Sequence, residues 1–208
     1  MDYDPIDMFF DPAAPVNRTE RARPHWHQEG KLYFLTWRLN DSIPREQREA
    51  ILNERAAWFQ VNGTKHVAEL SPEQKRSYFR LFNKRVHELL DAGYGSCALR
   101  DEVACRIVAD ALAHFDGDRY DLGSLAIAGS HVHVLALPRP GHHLSAITHS
   151  WKSFSAKRIN KHLGLKGPFW RHEGYDRIVR DEEALDRIEG YILRHAKKGA
   201  YVEKRKIT

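Results

Sequence analysis

Residues 125–137 read Leu-Ala-Ile-Ala-Gly-Ser-His-Val-His-Val-Leu-Ala-Leu, and this stretch constrains the fold more than any other. On either side of the histidines the residues are apolar, small and partly β-branched, as a buried sheet strand requires. Successive strand residues alternate between faces, so His131 and His133 leave the sheet side by side. Ala128-Gly129-Ser130, between the two apolar runs, predicts the tight turn of a hairpin. Two imidazoles on one face of a rigid strand make half of a divalent-metal site. The local alternative is one solvated histidine beside one hydrogen-bonded at a sheet edge.

A chain of 208 residues suits one domain with a sizeable core, and a hydrophobic share of 42% is ordinary for a globular protein. Its apolar runs are far too short to span a bilayer, so no membrane partner is expected. The opening Met-Asp-Tyr-Asp-Pro is acidic where a signal peptide is basic. Cys97 and Cys105 are the only cysteines and lack zinc-ribbon spacing, which fits a reducing cytoplasm. A net charge of +5, before any of 13 histidines is counted, permits a nucleic-acid partner without requiring one.

Residues 1–24, rich in Pro and Asp and ending in Arg18, Arg21 and Arg23, read as a poorly ordered tail. Lys31 to Leu39 is the first core strand. Asp41-Ser42 offers an N-cap and Pro44 a first-turn proline for a helix running to about Gln60. Ser71-Pro72-Glu73-Gln74 has the residues of a capping box, followed by Phe79, Phe82, Val86, Leu89 and Leu90 at helical spacing. A third helix from Arg100-Asp101 carries Val103, Ile107, Ala111, Leu112 and Phe115 on its apolar side, stopping at Gly117. After the hairpin, a helix from His143 to His162 has Leu144, Ile147, Trp151 and Phe154 as its stripe. Lys152, Lys157, Arg158 and Lys161 lie on its other side with interleaved serines, residue types that contact phosphate oxygens. An amphipathic surface helix would look the same. Phe169-Trp170-Arg171 and Tyr175 to Arg180 then lead into a short edge strand.

The last helix, about Asp181 to Lys198, buries Leu185, Ile188 and Ile192. At 100° per residue, Tyr191 and His195 lie about 60° and 20° to one side of Ile188. Both sit one turn apart at the margin of the buried stripe and look toward the sheet face this helix covers. Taken singly, Tyr191 reads as a core-edge aromatic and His195 as a cation favoured by the helix C-terminus.

The segments in order are a strand with His-x-His, a basic amphipathic helix, Gly-Pro-Phe-Trp-Arg, Tyr-Asp-Arg-Ile-Val-Arg-Asp-Glu-Glu and Tyr-Ile-x-x-His-x-Lys-Lys-Gly. Together with Arg23-Pro-His-Trp-His27, Tyr33 to Leu39, Asp41-Ser-Ile-Pro44 and Trp151 to Lys157, this constellation resembles the REP-associated tyrosine transposases, a bacterial group of the HUH nucleases. Two departures stand out. Ala128-Gly129-Ser130 replaces the usual Met-Pro-Asn ahead of the histidines, and His195-Ala196 replaces an Asn-Pro pair.

The resemblance implies an α+β fold, a ferredoxin-like or RRM-like antiparallel sheet of about four strands with packed helices. It implies a single domain over 25–202, with added helical material at 63–93 and a basic tail at 203–208. It further implies Tyr191 as catalytic nucleophile, with Tyr175 as the rival. The implied metal ligands are His131, His133 and His195, for Mg²⁺ or Mn²⁺. Single-stranded or hairpin DNA is the implied substrate, bound by Lys152, Lys157, Arg158, Lys161, Arg171 and Arg177, with Trp170 stacking on a base. The protein would act as a monomer or homodimer at the bacterial nucleoid. Attack by Tyr191 would leave a 5′-phosphotyrosyl enzyme and a free 3′-hydroxyl, conserving the phosphodiester bond energy for rejoining. A binding module that holds DNA hairpins without chemistry, and a hydrolase using water on the same histidines, are the competing classes.

Overall fold

The structure, a computed structural model, describes residues 8–20 and 24–207. Arg21, Arg23 and the expected tail's first seven residues lie outside them. In chain order, a ribbon of β1 (Asn17–Glu20) and β2 (Pro24–His27) leads to β3 (Tyr33–Arg38). Helices α1 (Arg45–Val61) and α2 (Pro72–Asp91) follow, then α3 (Glu102–Ala113) and the hairpin of β4 (Tyr120–Ile127) and β5 (His131–Pro138). Helix α4 (Leu144–Leu163), β6 (Tyr175–Ile178), α5 (Glu182–Arg194) and β7 (Tyr201–Glu203) complete it.

Two compact units result, Met1–Asn40 with Ala98–Thr208, and Asp41–Cys97. The helical addition expected over 63–93 is therefore part of a longer insertion that includes α1. Within that unit Ile43, Ile51, Leu70, Tyr78, Phe82, Leu89 and Leu90 form a core of their own. Its α2 begins as the sequence predicts: the Ser71 hydroxyl accepts from Gln74 N–H, and the Gln74 side chain accepts from Ser71 N–H. Helix α1 begins differently. Pro44 is its N-cap and supplies no side-chain bond. The Asp41 carboxylate instead accepts from Ser96 N–H at 2.8 Å, closing the base of the insertion.

The larger unit is α+β, as expected, but its antiparallel sheet has five strands in the order β6-β3-β5-β4-β7. The hairpin turn falls at Ala128, whose N–H donates to His131 carbonyl at 2.9 Å. Strand β4 starts at Tyr120, earlier than the apolar run suggests, because Asp121, Gly123 and Ser124 interrupt the run around a register shift between Leu122 and Leu125. Gly123 is needed there: a Cβ would sit 2.8 Å from Leu135 Cβ.

Both sheet faces are covered. Leu35, Trp37, Val132 and Val134 pack with Val108 and Leu112 of α3 and Ile147, Trp151 and Ile159 of α4. On the opposite face, Phe34, Leu135 and Leu137 pack with Ala184 and Ile192 of α5. Val103, expected on the buried side of α3, is 49% exposed, because Ala104, Val108, Ala111 and Leu112 already fill that contact.

Parts of the expected tails are built in. Met8 carbonyl accepts from Leu32 N–H at 2.7 Å, Phe10 N–H donates to Val179 carbonyl at 2.9 Å, and Phe9 is buried. At the other end β7 pairs with β4, and Arg205 bonds Asp116 at 2.6 Å and Glu203 at 2.7 Å. Among the described residues, no helix is long and apolar enough to cross a membrane.

Candidate metal centre

Strand alternation puts Phe34, Thr36 and Arg38 of β3 on the face that α5 covers. In register, Arg38 stands opposite His131 and Thr36 opposite His133, so both imidazoles share that face. Helix α5 is anchored there by Ile192, fully buried, and starts at Asp181, whose carboxylate caps Ala184 N–H at 2.6 Å. The regular helix ends at Arg194, and His195 opens a 3-10 turn. His195 is only 3% exposed, so it turns into the fold and is not a solvated residue of the helix end.

His131, His133 and His195 come together with one ring nitrogen of each within 4.8 Å of the others. Their ring centroids are 4.7 Å apart for His131–His133, 5.6 Å for His131–His195 and 4.7 Å for His133–His195. All three are buried, at 2%, 0% and 3% exposure. Neutral imidazole is the form that ligates a metal.

Each Nδ1 has an oxygen partner. His133 Nδ1 lies 2.7 Å from Thr36 Oγ1, His131 Nδ1 is 3.0 Å from Ser130 Oγ, and His195 Nδ1 is 3.0 Å from Tyr191 carbonyl. A carbonyl only accepts, so His195 carries its proton on Nδ1 and presents a lone pair on Nε2. This is how a metal-binding histidine is oriented by its surroundings, and the three residues fit a divalent ion.

The Tyr191 hydroxyl lies 3.3 Å from His133 Nε2, with its ring centroid 5.1 Å from His133 and 4.8 Å from His195. Tyr191 therefore faces the imidazoles while remaining partly exposed. Tyr175, in register with Thr36, is on the same sheet face but farther out, edge-on to Phe34 at 6.4 Å. It lines a cleft of about 320 Å³ between the ribbon strand β2 and the start of α4, with His25, His27, His143 and Asp176.

The expected DNA contacts divide. Lys157, Arg158 and Lys161 are exposed on α4, which covers the sheet face opposite the imidazoles. Arg171 and Arg177 are exposed, and Arg177, in register with Phe34, is on the imidazole face. Lys152 is already engaged: its Nζ donates to Arg171 and His172 carbonyls at 2.8 Å each, and burial lowers its pKa. Trp170 is not a stacking platform. It is 6% exposed, meets Trp37 edge-on at 6.1 Å and donates from Nε1 to Ser155 Oγ at 2.9 Å, so it is a core residue. The exposed aromatic of α4 is Phe154, assigned by periodicity to the buried stripe of that helix. It is 47% exposed, with the Arg158 guanidinium 5.4 Å from its ring centroid.

Three residues at this centre escaped the sequence reasoning: Thr36, Ser130 and Arg38. Thr36 and Arg38 carried a readable signal, as polar residues two apart in an otherwise apolar strand. Ser130 looked like an ordinary turn residue.

No protein-family model matches the sequence, and no curated protein matches it. In structure the chain is similar to a REP-associated tyrosine transposase bound to a REP hairpin, at 14% identity over 87% of this chain and 74% of that one, TM-score 0.49. It is also similar to a protein assigned as a transposase from Deinococcus radiodurans, at 16% identity over 81% and 92% of the two chains, TM-score 0.37. What the site does follows from its own residues.

Proposed function

We propose that this protein is a metal-dependent single-strand DNA endonuclease and strand transferase. It acts through a 5′-phosphotyrosine at Tyr191, on hairpin-forming repeat DNA, with His131, His133 and His195 as metal ligands. The observation that carries this reading is the Tyr191 hydroxyl 3.3 Å from Nε2 of His133, at the edge of a buried three-histidine cluster. A nucleophile and its metal ligands must be within reach of one phosphate, and this hydroxyl and these imidazoles are.

Held by His131, His133 and His195, a divalent ion would supply Lewis-acid polarisation and orientation of the phosphate. The chain's own residues do the rest. Tyr191 Oη attacks phosphorus and forms the new P–O bond while the bond to the 3′ oxygen breaks. The phenol proton passes to water, and the departing 3′ oxygen takes up a proton. Because Tyr191 and His195 share one helical turn, bonded through His195 Nδ1 and Tyr191 carbonyl, nucleophile and ligand are held by one element. Arg38, opposite His131, places a guanidinium on the same face for the phosphate charge. Arg177 extends that face, and the α4 cations with Phe154 offer a second basic surface across the sheet for folded-back DNA.

The test is a covalent adduct. A single strand labelled on the 3′ side of the cut should remain attached to the protein on denaturing gels, with the label mapping to the peptide containing Tyr191. Tyr191→Phe should lose the adduct and keep DNA binding, while Tyr175→Phe keeps both. Cleavage without an adduct would favour the hydrolase, binding without cleavage the hairpin-holding module, and label on Tyr175 would move the nucleophile.

A further inference from the structure

The donor atoms at this centre carry more information than a generic divalent site. Every ligating side chain in the cluster is an imidazole, and among the described residues no carboxylate belongs to it. Magnesium is a hard ion that favours oxygen ligands, near-octahedral geometry and several retained waters. Imidazole nitrogen instead suits zinc, iron, nickel and copper, with affinity rising from manganese along the first row. Three imidazole nitrogens from buried side chains would strip water from magnesium and return poor ligands.

The surroundings reinforce that preference. The oxygens nearest the rings, Thr36 Oγ1, Ser130 Oγ and the Tyr191 carbonyl, are bonded to Nδ1 atoms. They act on the imidazoles as orienting partners. With His131 and His133 two apart on β5 and His195 on the turn after α5, the ligands come from two rigid elements. Three histidine nitrogens are the protein donor set of a catalytic transition-metal site such as a three-histidine zinc site.

We infer that this chain holds a first-row transition ion of the cobalt–zinc class through His131, His133 and His195, and discriminates against magnesium. This rests on the metal-centre part of the function proposed above, and it predicts selectivity that the overall reading does not.

Binding can be read without activity. The tag-free full chain is titrated with Co²⁺ and followed by its visible ligand-field absorption, then with Zn²⁺ by calorimetry. One tight ion per chain is expected, and a thousandfold excess of Mg²⁺ should leave the cobalt spectrum unchanged. His195→Ala, checked for folding by circular dichroism, should weaken Co²⁺ binding by tenfold or more, and His131→Ala should do the same. His195→Asn, which restores an oxygen donor, should narrow the gap between Co²⁺ and Mg²⁺. Displacement of Co²⁺ by Mg²⁺ at comparable concentration would overturn the inference, as would affinity unaffected by both alanine variants. Selective Co²⁺ binding by a chain that makes no phosphotyrosine would leave the inference standing and remove the proposed chemistry.

Discussion

Thr36 Oγ1 lies 2.7 Å from Nδ1 of His133, so a hydroxyl on the neighbouring strand holds the imidazole whose Nε2 meets the Tyr191 hydroxyl. Both are buried and stand opposite each other in the β3–β5 register. A partner on the far ring nitrogen sets a ligand's orientation and tautomer. Its loss typically costs about 10–100-fold in metal affinity. Thr36→Val keeps the shape and removes the bond. The expected result is weaker Co²⁺ binding of that size, with Thr36→Ser restoring most of it. Equal affinity in the valine variant would make Thr36 a packing residue only.

Trp170 separates packing from DNA contact. Removing a buried indole costs about 3–5 kcal/mol through lost burial and the cavity left behind. Trp170→Ala should therefore lower stability in urea by that amount, with Ser155 losing its donor. Phe154→Ala should leave stability within about 0.5 kcal/mol and weaken single-strand binding, since exposed positions contribute little to folding. The reverse pattern would exchange their roles.

The α4 cations are a test of long-range attraction. Lys157, Arg158 and Lys161 lie across the sheet from Tyr191, so their removal should spare chemistry on bound DNA. Each lost phosphate contact reduces the salt slope of binding by about 0.7 for a single strand and about 0.9 for a duplex stem. The triple alanine variant should show weaker binding, a flatter salt dependence and an unchanged single-turnover rate at saturating DNA. An unchanged slope would return α4 to ordinary solvated surface.

Tyr33 gives the fold an alkaline limit. Its hydroxyl accepts from Gln28 N–H and donates to Gln28 carbonyl, both at 2.9 Å, and burial pushes its pKa from 10.0 up to about 12. Below pH 10 native and unfolded chains both hold this proton, and its contribution is complete. Between pH 10 and 12 the unfolded chain has released it while the native chain has not, so stability falls as pH rises. The total from this group is about 3 kcal/mol at one 1.36 kcal/mol step per pKa unit. Urea melts across that window should show the decline, and Tyr33→Phe should reduce it.

Local pattern determined a good deal of this protein. Alternation through Leu125 to Leu137 put His131 and His133 on one face, because a strand's pleat permits nothing else. Helical spacing set Tyr191 and His195 one turn apart beside Ile192, and the Ser71–Gln74 cap needed only residues three apart. Tertiary structure decided what these faces meet. No periodicity says that α5 covers the imidazole face and α4 the other, so the sequence pattern could not tell which side of the sheet the α4 cations occupy. The exchange of roles between Phe154 and Trp170 has the same origin: an aromatic is buried or exposed according to the partner surface, here Trp37 and Ser155 around Trp170. Strand β7 has three residues and its ladder partners lie in β4, about 75 residues earlier, so its order comes from pairing across the sheet. The bond from Thr36 to His133 likewise spans 97 residues, a distance that only the sheet register closes.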